Sequence, residues 1–367
     1  ITGQEIALVS EVKGTTTDPV SKAMEIHPIG PCLLIDTAGF DDTGDLGNMR
    51  IEKTKAVLDK TDVAVVVFSD MQMELETQWI AMLRQRKIPI LAVVNQVDRI
   101  EQVQEIKRQI EQRFSLTPLL VSAKEKTGIS QMKHEILRLM PPDFEAQSLT
   151  GSLVQPEDVV LLVMPQDKQA PKGRLILPQV QTIRDLLDNH CVVMCVTTEQ
   201  LSTALQALAK PPKLIITDSQ AFAQVYPLKP AETLLTSFSI LLAAYKGDLS
   251  AFVKGANALD SLTDDSHVLI AEACTHAPLQ EDIGRVKIPN MLRKKYGEHL
   301  QVTVVSGSQF PKDLSEYQLI IHCGACMFNR KHVLTRVEQA EQQGVPITNY
   351  GVVLAKLTGI LDRISMQ

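Results

Sequence analysis

Residues 90–98 read ILAVVNQVD, and the fold turns on how they are taken. Ile90 to Val94 form a short apolar run between Pro89 and the polar Asn95. Such a run, rich in branched side chains, reads as a strand covered on both faces of a sheet. Outward from it, Cys32–Ile35, Val63–Phe68 and Leu119–Val121 have the same character, with amphipathic helical patterns at Glu74–Arg86 and Gln102–Arg113 between them. Strand and helix in alternation predict a parallel α/β sheet over residues 1–144.

The ends of these strands carry polar residues in a definite order. LLIDTAGF, residues 33–40, finishes a strand in Asp36, placed to hold Mg2+ through water, and Gly39, whose N–H is free to meet a terminal phosphate. Upstream, GTTTDP at 14–19 offers hydroxyls of the kind that complete a Mg2+ shell. In the opening stretch Asp98 can accept the two N–H donors of guanine N1 and N2, which adenine does not offer. VSAK at 121–124 adds Ser122, Ala123 and Lys124, where a backbone N–H can meet guanine O6. Ordinary turns also use Asp, Asn and Gly. Four such elements in this order at strand ends, where an open α/β sheet binds its ligands, form a specific pattern.

At these residues the block resembles the translation-factor-like GTPases, especially the tRNA-modification (TrmE) and Era-like branch. The resemblance implies GTP and Mg2+, with K+ as a companion ion. It makes Thr16 the Mg2+ ligand, with Thr15 and Thr17 as rivals, and Asn95 and Asp98 the guanine readers. Gln96 departs from the family, which has Lys there. Phe40 stands where Ras-like proteins carry a water-orienting Gln, which implies slow intrinsic hydrolysis or a different water-positioning device. No GxxxxGK[ST] phosphate loop occurs, and the opening ITGQEIALVS reads as the helix that follows one. The expectation is a chain without its beginning; were this the whole molecule, tight GTP binding would fail for want of the loop's N–H groups and Lys.

Of the 367 residues, 44% are hydrophobic and 22% charged, the composition of a soluble chain of two or three domains. A net charge of -6 without a basic stretch weighs against nucleic acid as the main partner. The apolar runs are too short to cross a membrane. Six cysteines in so long a chain are not a disulfide framework, so a reducing cytoplasm is the compartment expected.

After a polar linker, residues 150–232 repeat the alternation on a smaller scale, with strands at Val159–Met164, Cys191–Val196 and Lys213–Thr217. Cys191 and Cys195 read as core residues of a buried strand. Residues 233–367 open with helical stretches Thr233–Lys246 and Leu249–Leu262, followed by strands at Val268–Ala271, Val302–Val305, Leu319–Ile321 and Pro346–Thr348. The fold class is α/β, in three domains.

The third block carries Cys274 and His276 just past one strand, and His322, Cys323 and Cys326 just past another. If both strands belong to one parallel sheet, Cys274, Cys323 and Cys326 converge at its edge. Three thiolates and an imidazole suit a closed tetrahedral zinc site. Three thiolates with an open position suit a cubane iron–sulfur cluster. A Cys323–Cys326 redox couple leaves Cys274 without a use. His276 and His322 are candidate fourth ligands or supports behind the ligands.

A guanine-switch block, a small α/β block and a Cys-x-His…His-Cys-x-x-Cys block together resemble the HydF family, the GTPases of FeFe-hydrogenase maturation. The resemblance implies a 4Fe–4S cluster on Cys274, Cys323 and Cys326 with its fourth iron open or weakly occupied. It implies a homodimer formed by the middle block. It also implies a scaffold that receives a diiron cluster precursor from radical-SAM maturases and delivers it to apo FeFe-hydrogenase. The alternative is an Era/TrmE-like RNA-associated GTPase with a structural Cys3His zinc site.

Overall fold

In the computed structural model, the structure describes residues 20–27, 29–36, 57–140, 148–165, 175–273, 282–307 and 309–366. The chain forms two compact units, residues 1–146 and 147–367. Thr16, Gly39, Phe40, Cys274 and His276 lie outside the described residues.

In the first unit, β1 (Val20–Ile26) and β2 (Gly30–Asp36) form an antiparallel hairpin, with Val20 opposite Asp36. This corrects the expectation that Cys32–Ile35 joins the parallel sheet: among the described residues β2 pairs with β1 alone. The parallel sheet consists of β3 (Ala64–Phe68), β4 (Ile90–Val94) and β5 (Leu119–Leu120), in the order β3-β4-β5. Strand β4 lies at its centre. Its alternate residues Ala92 and Val94 pack with α1 (Glu74–Gln85) and α2 (Val103–Phe114), through Ile80, Leu83, Ile106 and Ile110. Leu91 and Val93 point the other way, towards Met132 of α3 (Ile129–Leu139). Burial on both faces is why every residue of this strand is apolar.

The second unit contains two four-stranded parallel sheets of the same order. In one, β6 (Val159–Val163), β7 (Val192–Val196), β8 (Leu214–Thr217) and β9 (Leu234–Ser237) run β7-β6-β8-β9. In the other, β10 (His267–Glu272), β11 (Gln301–Ser306), β12 (Leu319–His322) and β13 (Ile347–Asn349) run β11-β10-β12-β13. Central β6 and β10 are buried on both faces, and their neighbours β8 and β12 are equally dry. Edge strand β7 is not: Val192 is 57% exposed and Cys195 is exposed, so Cys191 and Cys195 do not form the buried pair expected from spacing.

Helices α4 (Leu177–Asp188), α5 (Leu201–Ala207) and α6 (Phe222–Val225) belong to the first of these sheets. Strand β9 also joins it and passes directly into α7 (Phe238–Lys246), where one long helix was expected. The Ser237 side chain accepts the Ile240 N–H and starts the helix there. Helix α7 buries apolar side chains in two cores: Phe238, Leu241 and Leu242 enter the core under β6, and Ile240 and Ala243 enter the core shared with the last sheet. Helices α8 (Leu249–Ala256), α9 (Ile288–Tyr296), α10 (Arg330–Gln342) and α11 (Tyr350–Leu357) complete the unit.

Candidate functional site

The strand ends of the first unit bring two of the expected nucleotide elements together. The Asn95 amide donates to Phe68 O (2.9 Å), extending the β3–β4 ladder by one residue and fixing where the loop begins. Gln96 then turns through a left-handed φ of 62°, so that Val97 N–H reaches Val121 O at 3.3 Å. The Asn95 side-chain oxygen accepts the Ala123 N–H at 3.1 Å, and Ser122 Oγ donates to Asp98 Oδ1 at 2.5 Å. Ser122 is buried and also accepts the Glu125 N–H (3.1 Å), so its hydroxyl is locked. The Ser122 bond holds the Asp98 carboxyl below the usual carboxylate range, and Lys124 and Arg99 act in the same direction.

The result is an exposed, ionised Asp98 with one oxygen anchored, the form a guanine edge requires. The Ala123 N–H offered to guanine O6 by the sequence pattern is occupied here by Asn95. Asp36 is exposed at the end of β2.

In the second unit, the edge between β10 and β12 carries the cysteine loop. The two strands pair in parallel with Ala271 opposite His322, so Ala273 and Cys323 emerge side by side. Cys323 Sγ accepts the Ala273 N–H at 3.0 Å and the Ala325 N–H at 3.4 Å. Burial pushes the Cys323 thiol up to about 11, and those two amides pull it down. Ala325 takes a left-handed φ of 52°, which brings Cys326 back over α7, where it packs with the core under β6.

His322 is buried, and both its ring nitrogens are engaged. Nδ1 meets Cys323 O at 2.9 Å and Nε2 meets Arg336 Nη1 at 3.0 Å. Arginine only donates, so Nε2 is the acceptor and Nδ1 carries the proton. Burial and the Arg336 charge lower the imidazole to about 3, so it is neutral. Asn349 Nδ2 adds a second bond to Cys323 O, at 3.3 Å. Among the described residues no group of three His, Cys, Asp or Glu side chains is placed to hold a metal; Cys274 and His276 are outside that set.

Sequence reasoning missed Arg336 and Lys246. Arg336 Nη2 donates to Gly307 O, and the guanidinium lies over the rings of Phe310 and Phe328 at 4.8 and 4.7 Å. Lys246 Nζ donates to the carbonyls of Ala325 (3.2 Å), Cys326 (2.9 Å) and Phe328 (2.8 Å). Arg330 returns the contact, donating to Tyr245 O at 2.8 Å and Gly247 O at 3.1 Å. A signal did exist. Arg336 falls on the same face of α10 as the buried Val333, Val337 and Ala340, and Lys246 ends an otherwise apolar helix.

The fold and these strand-end sites define a multidomain α/β chain with a GTPase-type domain ahead of two further parallel-sheet domains. Residues 149–247 match the hydrogen maturase F dimerization domain, residues 250–366 the hydrogen maturase F tetramerization domain, and residues 1–96 the 50S ribosome-binding GTPase family. The chain belongs to the hydrogen maturase F family.

The chain is 30% identical over 166 residues to the tRNA modification GTPase MnmE of Flavobacterium johnsoniae, covering 43% of this chain and 34% of that protein. It is 29% identical over 151 residues to GTPase Der of Wolinella succinogenes, covering 37% and 31%. The chain thus spans about a third of the length of the curated relatives it matches. Aquifex aeolicus Era bound to GDP·AlF4− is a structural neighbour at 16% identity and TM-score 0.35, over 63% of this chain and 92% of that one. Among the described residues no helix is long and apolar enough to cross a membrane.

Proposed function

We propose that this chain is a GTP-binding scaffold and carrier of FeFe-hydrogenase maturation, holding a 4Fe–4S cluster on Cys274, Cys323 and Cys326. One observation carries the reading. Ala273, the residue before Cys274, hydrogen-bonds the Cys323 sulfur at the joined ends of β10 and β12. Ala273 directly precedes Cys274 in the chain. Amide N–H groups aimed at a cysteine sulfur suit a thiolate that ligates iron, where such bonds tune the centre. Family membership supplies the rest of the context.

In this reading the cluster, when bound, offers an exchangeable iron site that three cysteines leave open. The chain's own residues do the remaining work. Ala273 and Ala325 donate to the Cys323 sulfur, and His322 and Asn349 fix the Cys323 carbonyl. Since neither ring nitrogen of His322 is available, its part is to position Cys323; His276 stays a candidate fourth ligand. In the first unit Asp98, oriented by Ser122, reads guanine with Asn95, Ala123 and Lys124. Thr16 and Asp36 hold Mg2+, and Gly39 faces the terminal phosphate.

The partners proposed are a second copy of the chain, the radical-SAM maturases that supply a diiron precursor, and apo FeFe-hydrogenase that receives it. Protein loaded by the maturases should, on incubation with apo-hydrogenase, start hydrogen evolution. Failure to activate, with a cluster demonstrably bound, would remove the carrier role.

A further inference from the structure

Two buried cations contact the ligand loop or the residues beside it, and among the described residues neither is ion-paired with an acid. Arg336 is 2% exposed and Lys246 8%. Among the described residues Arg336 hydrogen-bonds neutral acceptors alone, His322 Nε2 and Gly307 O, its Nε–H has no hydrogen-bond partner, and its guanidinium lies over the rings of Phe310 and Phe328. Lys246 bonds three carbonyls of the loop, those of Ala325, Cys326 and Phe328.

The buried carboxylates described at this sheet edge bond elsewhere. Glu272 accepts Arg285 Nη2 at 3.0 Å and Nε at 3.1 Å, together with Ser306 Oγ at 3.0 Å. Asp282 accepts the Arg285 backbone N–H at 2.8 Å. A buried cation without an anion is expensive to keep. Burial accordingly depresses both groups, Arg336 to about 10, while the nearby cysteines oppose the shift. Two such cations at one loop look unbalanced until the loop itself carries negative charge.

We infer that Lys246 and Arg336 are the counter-charge of the Cys323–Cys326 loop, making it an electropositive seat that takes an anionic, thiolate-ligated metal centre in preference to a neutral or cationic ligand. The inference rests on the reading of these cysteines as ligands. Lys246 adds a second consequence. It ends helix α7 at residue 246, one position before the dimerization-domain match ends at 247, and its three carbonyl bonds fasten that helix to the ligand loop. The seat is therefore assembled across the junction of the two domains.

The test needs no bound cluster. In the full apo chain, alkylation of Cys326 by iodoacetate and by iodoacetamide is timed by peptide mass spectrometry. Both reagents attack through the same thiolate, so their rate ratio reports local charge rather than thiol acidity. Removing one cation, by Lys246→Met or Arg336→Gln, should lower the iodoacetate-to-iodoacetamide ratio by about threefold to tenfold. Lys246→Arg and Arg336→Lys should keep it, which guards against loss of the fold. An unchanged ratio in folded Lys246→Met and Arg336→Gln overturns the inference. Co2+ titration of the same proteins tests the ligand reading separately. Thiolate-to-cobalt absorption that weakens about tenfold in the charge-removing variants supports both. No such absorption in the parent chain, with a charge-dependent ratio, leaves the seat standing and removes the metal ligands.

Discussion

The Ala273 amide donates to the Cys323 sulfur at 3.0 Å, across the pair formed by β10 and β12. A neutral thiol is a weak acceptor and a metal-bound thiolate a strong one, so this contact gains strength when the sulfur is ligated. It also joins the two stretches that hold the expected ligands, since Ala273 leads directly into Cys274. Here parallel pairing, a backbone property, determines which side chains can share a ligand.

Replacing Cys274, Cys323 or Cys326 with Ala should reduce iron in anaerobically reconstituted protein to the background level. Cys191→Ala should leave it unchanged, because Cys191 sits against Gln155 O and Asn189 O in the other sheet of the unit. Iron analysis of the four variants distinguishes the outcomes. Loss of iron on Cys191 replacement would mean that the site is misplaced.

His322 should make the protein sensitive to acid. The unfolded imidazole binds a proton below about 6.5, whereas the buried one stays neutral down to about 3. In that window the unfolded state binds more protons, so stability falls as pH falls, by up to about 1.4 kcal/mol per pH unit. Urea midpoints measured between pH 7 and pH 5 should decline more steeply for the parent chain than for His322→Gln. Parallel declines would show that His322 is not held neutral.

Ser122 should set the ionisation of Asp98. Its hydrogen bond lowers the Asp98 carboxyl, so Ser122→Ala should move that carboxyl back up, visible in a side-chain NMR titration. In a chain carrying a phosphate loop, Asp98→Asn should weaken GTP binding about tenfold to hundredfold, the loss expected for hydrogen bonds to a charged group. ATP binding should be unaffected. An equal effect on both nucleotides would reject the guanine role.

Gly255 marks the tightest approach between α8 and β13: a Cβ there would lie 1.9 Å from Ile347 O. Gly255→Ala should therefore cost about 1–3 kcal/mol through forced separation of helix and strand, read as a lower denaturant midpoint. A neutral result would show that the two elements can move apart freely.

Much of this was legible in the sequence, because dry parallel strands are continuous apolar runs. Val159–Val163, His267–Glu272 and Leu319–His322 stand almost where the pattern puts them. Val20–Ile26 escaped notice because VSKAMEI mixes Lys and Glu with apolar residues, and an antiparallel hairpin tolerates polar positions. Leu234–Ser237 looked helical since TLLTSFSILLAAYK is largely apolar and holds no Gly or Pro to break it; only pairing with β8 and the Ser237 cap separate strand from helix. Asn95, Asp98 and Ser122 were expected near strand ends, and each lies within a few residues of one. Arg336 and Lys246 act across 14 and 80 residues of sequence, on His322 and Cys326, and only the folded chain brings them there.

The most direct test of the central claim is the metal itself. The intact chain, reconstituted anaerobically with iron and sulfide, should be brown, hold about four irons per chain and, once reduced, give the EPR signal of a 4Fe–4S cluster. A colourless protein that instead retains one zinc per chain would contradict it.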